Sequence, residues 1–314
     1  MTRDPSRGPT SQFVMTADSL HAHPSVHLAN AKDAAELARV CPACGRTTDH
    51  QLRFRINRCD ILQCSNCGLG HAEAAGFDPA TYYTGDYFSG RHADGYADYL
   101  GAEPVLRREF ARSVDFIRRF RRGGKLLELG CAYGFFLKEA ARHFEVAGIE
   151  LAADAAEHGR RAGLNVLEGT ADDAKLRQIG PVDVIVLLDV IEHLPDPRET
   201  LALCRRQLNP GGIIVITTGD FGSLAAKLTG ATWRLMTPPQ HLWFFTRESM
   251  RRLAAGLGLA VEHVDHPWKI VPLSLIAFQL RRMLGLHTAA MASANGIGVP
   301  VNLFDAMRVV LRSP

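Results

Sequence analysis

The sequence predicts an α/β fold: a doubly wound, mostly parallel seven-stranded sheet with a small cysteine-knuckled unit in front of it. Two observations carry this. From Lys125 onward, short apolar runs alternate with amphipathic segments, the pattern of strands crossed over by helices. Upstream, Cys41-Pro42-Ala43-Cys44 and Cys64-Ser65-Asn66-Cys67 repeat one spacing, and a glycine directly follows each pair.

Length and charge narrow the field. The 314 residues have room for one large domain and a small accessory one. A net charge of +3, from 36 basic against 33 acidic residues, is too small to argue for nucleic acid. No apolar run reaches the roughly 18–20 residues that span a bilayer, and MTRDPSRGPTSQFV lacks the core of a secretory signal. The expected location is the cytoplasm, where seven cysteines point to metal or free thiols rather than disulfides.

Residues 1–35 carry His21, His23 and His27 among Pro, Ser and Thr without an apolar period, and are expected to form a mobile tail. Residues 36–75 read as a zinc ribbon. Two residues between cysteines let both thiolates of a knuckle face one tetrahedral ion, so Cys41, Cys44, Cys64 and Cys67 are the expected Zn2+ ligands. Between them QLRFRINRCDILQ alternates like a hairpin. Four thiolates leave no position for a catalytic water, so the ion is expected to be structural. Cys59 is left as an ordinary half-buried thiol.

Residues 76–122 hold an aromatic stretch, Tyr82-Tyr83-Thr84-Gly85-Asp86-Tyr87-Phe88, then Tyr96 and Tyr99, and a helix from about Pro104 to Phe120 with basic residues late in it. The large domain covers residues 123–314. Its first strand, KLLELG, turns sharply at Gly130 and opens a helix near Phe135, so backbone amides and a helix N-terminus come close to a ligand. Twenty residues beyond Gly130, VAGIE ends in Glu150, placed to accept from the two hydroxyls of a ribose. NVLEG, VDVIVLLD (ending in Asp189), GIIVITTG and LAVEHVDH continue the sheet, and AMRVVLRS closes it. A helical insertion at about 267–299, IVPLSLIAFQLRRMLGL, is expected over the acceptor pocket or in a dimer contact, with a membrane-surface helix as the alternative.

Glu128-Leu129-Gly130-Cys131-Ala132-Tyr133-Gly134, the acid Glu150, the run into Asp189 and Leu208-Asn209-Pro210-Gly211-Gly212 resemble, in order and separation, the class I S-adenosylmethionine (SAM) methyltransferases. The match runs from roughly Arg107 to Ala260. Ala132 stands where the family usually has its middle glycine, and the G-x-G-x-x-G of a dinucleotide dehydrogenase is not there. The resemblance implies a Rossmann-like fold and a SAM site of Glu128, Gly130, Cys131, Ala132, Tyr133, Gly134, Glu150, Leu151, Asp189 and Val190. Gly169, Thr170, Ala171 and Asp172 then fall near the adenine, where Asp172 either accepts from the amino group or caps a helix. The aromatic stretch resembles that of bacterial zinc-ribbon methyltransferases, which implies a lid over the cofactor including Tyr87; the alternative is glue between ribbon and core.

Methyl transfer from a sulfonium is an in-line displacement that needs positioning, exclusion of water and, for a hydroxyl acceptor, a general base. His193 in VIEHLPDP faces the methyl group in related enzymes; the alternative is that it orders its loop and Glu192. His241 in PPQHLWFF is the second candidate base, or a turn histidine held by Pro238, Pro239 and Trp243. Glu192 assists or orients either ring. The substrate class implied is a small or sugar-containing metabolite methylated on oxygen or carbon. A ubiquinone-type phenol or lipid O-methyltransferase is the second reading. A non-catalytic partner module is the third, disfavoured by the intact Glu128 and Glu150. The oligomeric state is not legible.

Overall fold

The computed structural model describes residues 27–28, 37–89, 98–283 and 296–314. His21, His23, Tyr96 and residues 284–295 of the expected insertion lie outside them.

The N-terminal unit is a sheet of β1 (His27–Leu28), β2 (Leu37–Val40), β3 (Thr47–Ile56), β4 (Cys59–Cys64) and β5 (Gly70–Glu73). β3 and β4 are the expected hairpin. Their connecting residues Asn57 and Arg58 both have positive φ, 51° and 63°, the mirror-image tight turn that follows the twist of paired strands. β1 pairs with β3, His27 opposite Arg55. A two-residue strand therefore stands where the sequence suggested only tail, because an edge strand offers unpaired amides to any extended segment.

Two single-turn helices, α1 (Pro79–Tyr82) and α2 (Gly85–Phe88), lead to α3 (Glu103–Ile117). Arg118, Arg119, Arg121 and Arg122 lie past its end, not in its last turn.

The large domain continues as β6 (Lys125–Leu129), α4 (Phe135–Ala140), β7 (Glu145–Glu150), α5 (Ala153–Arg161), β8 (Asn165–Glu168), α6 (Asp173–Ile179) and β9 (Val182–Leu188). Then come α7 (Pro197–Gln207), β10 (Leu208–Gly219), α8 (Leu224–Thr229), β11 (Trp243–Phe244), α9 (Arg247–Gly256) and β12 (Ala260–Asp265). The chain ends with β13 (Lys269–Pro272), α10 (Leu273–Met283), β14 (Gly298–Val301) and β15 (Ala306–Arg312).

The seven-stranded sheet has the order β12-β15-β10-β9-β6-β7-β8, with β15 antiparallel to both neighbours. Its central strands are covered on both faces, which is why Leu126-Leu127 and Val184-Ile185-Val186-Leu187 read as unbroken apolar runs. α3, α4 and α5 pack on one face. On the other, α6, α7 and α9 share one core with Cys41, Cys64, Cys67 and Leu69 of the N-terminal unit. Strand order reverses between β6 and β9, so a crevice opens at their carboxyl ends, where doubly wound sheets take their ligands.

Two further features differ from expectation. The insertion is not simply helical: β13 and β14 pair antiparallel, Lys269 opposite Val301, and hold α10 at its start. The β-branched residues Ile270, Val271, Val299 and Val301 favour this ladder. In addition, β11 leaves the large domain and joins the N-terminal sheet, Trp243 opposite His71 and Phe244 opposite Gly70. Among the described residues no helix is long and apolar enough to cross a membrane.

Candidate active site

One wall of the crevice comes from the β6–α4 turn. Gly130 and Gly134 have φ of +68° and +77°, and a Cβ on either would meet Val190 or Leu164 at 2.7 and 2.5 Å. Only glycine fits both demands. Ala132 takes φ +45° between them, so the residue that departs from the family pattern adopts the left-handed backbone that a glycine would adopt without strain. Val190 fills the space against Gly130, and the Cys131 sulfur packs on Gly148. Burial pushes the Cys131 thiol well up, which makes it a neutral filler and no nucleophile.

Glu150 ends β7 and is buried. Its Oε2 accepts from the Ala132 amide at 2.7 Å and its Oε1 from the Ala152 amide at 2.8 Å. Burial pushes its carboxyl upward against the pull of those amides. Each oxygen keeps a further lone pair, the pair of acceptors that two ribose hydroxyls need. Glu128, on β6, is buried with Oε2 lacking a partner, and burial together with Glu150 raises its carboxyl. An orphaned acceptor, a cradle with no room for a Cβ and a second acid together fit a nucleoside with a cationic tail.

The remaining cofactor candidates divide. Gly169, at φ +110°, donates its amide to the Glu150 carbonyl, and Leu151 and Ala171 are half-buried beside that bend while Thr170 is exposed. Asp172 is taken up by structure: Oδ1 caps α6 at the Lys175 amide (2.8 Å) and Oδ2 pairs with the Lys175 ammonium (2.7 Å). The cap alternative is the one its geometry matches, because a side chain one residue before a helix finds orphan amides closer than any ligand. Tyr87 is buried and accepts from Gln240 Nε2 at 2.7 Å, while Tyr133 meets Phe88 edge-on at 5.3 Å and stacks with Tyr99. The aromatic stretch thus touches both the cofactor loop and the opposite wall.

That opposite wall follows β9. Asp189, at φ +56°, accepts from Thr217 Oγ1 and pairs with Lys269 at 2.5 Å. Burial raises its carboxyl, but Lys269 and Thr217 outweigh that and hold it low. A 3-10 turn, Ile191–His193, then aims Glu192 and His193 at His241, and their donor atoms lie within 4.8 Å of one another. His193 Nδ1 lies 2.8 Å from the Gln240 carbonyl and 2.7 Å from the Tyr83 hydroxyl. A carbonyl can only accept, so Nδ1 carries the proton and the lone pair sits on Nε2. His241 repeats this logic, with Nδ1 2.7 Å from the Leu235 carbonyl. Burial lowers the His193 imidazole, and burial with His193 takes His241 down to about 3. Glu192 accepts from Thr218 Oγ1 at 2.9 Å, and burial with Asp189 pushes it up to about 8.

The four knuckle cysteines form a second cluster, their sulfurs within 4.8 Å of one another and Cys41 Sγ 3.5 Å from Cys67 Sγ. A tetrahedral ion with bonds of about 2.3 Å would place its sulfurs about 3.8 Å apart, so the set fits zinc. His50 strengthens the fit. It is 2% exposed with neither ring nitrogen partnered, and after burial the Cys41 sulfur is the group that acts on it most. A metal-bound thiolate beside it would accept its N–H. Cys59 is fully buried rather than half-buried, its thiol raised by burial.

Sequence reasoning named both histidines but not what holds them. Gln240, Tyr83 and the Lys269–Asp189 pair come from segments with no pattern to link them; only the adjacency of Gln240 and His241 hinted at a shared loop.

Known proteins resemble the chain over its large domain. A methyltransferase domain model matches residues 104–264, just over half the chain. The ubiquinone biosynthesis O-methyltransferase of Caulobacter vibrioides is 33% identical over 153 residues, 45% of this chain and 61% of that one. That of Cereibacter sphaeroides is 30% identical over 174 residues, 52% of this chain and 69% of that one. The chain spans about three fifths of the first such relatives. A solved magnesium protoporphyrin IX methyltransferase from Synechocystis, with bound SAH, aligns with a TM-score of 0.45 at 11% identity, covering 73% of this chain and 94% of that one. The chain belongs to the methyltransferase domain family, of the class I, SAM-dependent type.

Proposed function

We propose that the protein transfers a methyl group from SAM to a hydroxyl of a small acceptor, with His193 as general base. When bound, SAM supplies an electrophilic methyl carbon on a sulfonium. Glu150 would hold the ribose hydroxyls, Glu128 the polar tail, and Gly130, Ala132 and Gly134 the close backbone approach. The observation that carries the reading is the orientation of His193, whose Nδ1 is held by the Gln240 carbonyl so that Nε2 is left basic at the carboxyl end of β9. His241, lowered to about 3, is a poor base and suits a neutral acceptor of hydrogen bonds. Glu192, neutral up to about pH 8, steadies the pair without placing a charge beside it.

Acceptor chemistry follows from the base. An imidazole below its usual range is matched to a phenol, whose proton leaves near pKa 10, better than to a sugar hydroxyl, a far weaker acid. The relatives named for ubiquinone biosynthesis favour the same class. We therefore place the phenolic acceptor ahead of the sugar-containing one. The four cysteines are proposed to hold one structural zinc ion. Incubation with SAM and parallel panels of catechols and sugars, read by mass spectrometry for wild type and His193→Ala, tests the assignment. Methylated catechol that disappears in the variant supports it; equal product from both proteins overturns the base.

A further inference from the structure

The loop that fixes His193 belongs to two sheets at once. Residues 237–242 carry Gln240 and His241 and run straight into β11, the edge strand that the large domain gives to the cysteine-bearing sheet. On the active-site side, the Gln240 carbonyl meets His193 Nδ1 at 2.8 Å and the Leu242 amide donates to the Glu192 carbonyl at 2.8 Å. The other side is held by the ribbon. Asn57, at the tip of the β3–β4 hairpin, donates its Nδ2 to the Pro238 carbonyl at 2.8 Å. The Ala72 amide donates to the Leu242 carbonyl at 2.9 Å, and His71 stacks on Trp243 with ring centres 4.6 Å apart.

These contacts reach back to the cysteine cluster within a few residues. β4 ends on Cys64, β5 begins three residues after Cys67, and Gln63 pairs with Gly70 across the two strands. The knuckle is also bolted to the large domain, with Thr246 Oγ1 on the Cys67 carbonyl and Arg198 on the Pro42 carbonyl. A backbone hydrogen-bonded path therefore runs from the cysteines through β5 to the carbonyl that selects the His193 tautomer. Glu150, by contrast, is held by amides of its own loop and the β6 turn.

We propose that the metal-loaded ribbon is the template of the acceptor wall: through Asn57 and β5 it places the Gln240 carbonyl, and so sets which nitrogen of His193 is basic. Asn57 and His71 are positioning residues in this scheme. The proposal rests on the assignment of His193 as base, and its test separates the two.

The experiment uses the zinc-replete full chain labelled with 15N-histidine. Asn57→Asp keeps the size and tolerates the left-handed backbone at φ +51°, but it cannot donate to Pro238. His71→Ala removes the stack, and His71→Phe restores a ring. Expected are unchanged zinc content and SAM affinity, a kcat lowered about 10- to 100-fold in Asn57→Asp and His71→Ala, and recovery in His71→Phe. The 15N signals of His193 should move from one Nδ1–H tautomer to a mixture in the two damaging variants. Zinc and SAM binding report folding, so a variant that fails to fold is recognised and the other decides. A His193 tautomer and kcat unchanged in both overturn the proposal. A shifted tautomer with undiminished activity in His193→Ala would leave the template standing and remove the base assignment.

Discussion

The cofactor wall draws its groups from residues 128–150, one turn and the end of the next strand, whereas the acceptor wall draws on Tyr83, Glu192, His193, Gln240 and His241. The first is local and made largely of backbone. Its glycines, its amides and two acids are fixed once β6 and β7 pair in register, Leu129 beside Ile149. The second exists only when an aromatic segment, a 3-10 turn and a loop shared by two sheets come together. Under the proposed assignment, binding a constant donor and choosing a particular acceptor fall to structures of different order. The constant task sits on the element that folds most locally, and the selective one sits where distant segments meet.

Substitutions should separate the walls. The largest effect is expected for His193→Ala: turnover falls about 10²- to 10⁴-fold, the span of a lost general base, while calorimetric SAM affinity is unchanged. The rate should also carry a pH signature. Because burial lowers His193, the acid limb of kcat/KM belongs below pH 6.5, and a histidine of ordinary pKa would put it at 6.5. Glu192 gives the opposite trend in stability. Its folded pKa of about 8 lies above that of an unfolded glutamate, so the native state holds the extra proton between roughly pH 4.5 and 8. Stability from this group is full below that window and is lost as pH rises through it. Denaturant melts of wild type beside Glu192→Gln should therefore diverge across that window, the variant being the flatter; parallel curves would remove the buried neutral carboxyl.

Glu150→Ala is the converse experiment. It should weaken SAM binding by about 1.5–3 kcal/mol, the scale for hydrogen bonds to a charged group, with the His193 signals undisturbed. A loss of both together would mean that the walls are not independent. For the cysteine cluster, His50→Phe keeps the ring volume but removes the N–H facing Cys41. Zinc affinity in chelator competition should fall about 10- to 100-fold, as when an outer hydrogen bond to a ligand is lost. Unchanged affinity would leave His50 as an orphan without a partner.

What could be read from the chain follows the same division. The succession of strands and helices, the Gly130–Gly134 turn and the place of Glu150 at a strand end were legible because periodicity and spacing act over a few residues, and the clustering of the four cysteines because two C-x2-C knuckles repeat one spacing. Asp172 stayed ambiguous since a cap and an adenine contact ask for the same side chain at the same place. The strand His27–Leu28 and the β13–β14 ladder were missed because each depends on a partner far away in sequence. Gln240 and Asn57 were missed for a sharper reason. Their function is to present or bind a backbone carbonyl, and no residue pattern marks where a carbonyl will point.

The smallest effect tests the cofactor wall at its one irregular position. Ala132 holds φ +45°, and an L-residue there carries about 1–2 kcal/mol of strain that glycine does not. Glycine is also the more flexible residue unfolded, which costs roughly 0.5–1 kcal/mol. Ala132→Gly should therefore stabilise the protein by about 0.5–1 kcal/mol in denaturant melts. Gly130→Ala, which adds a Cβ 2.7 Å from Val190 at φ +68°, should destabilise it by more than that. SAM affinity discriminates further. The Ala132 amide already lies 2.7 Å from Glu150, so relief of strain without a change in that bond should leave affinity where it is. Tighter binding by the glycine variant would show instead that the alanine holds the turn short of its best approach to the ligand.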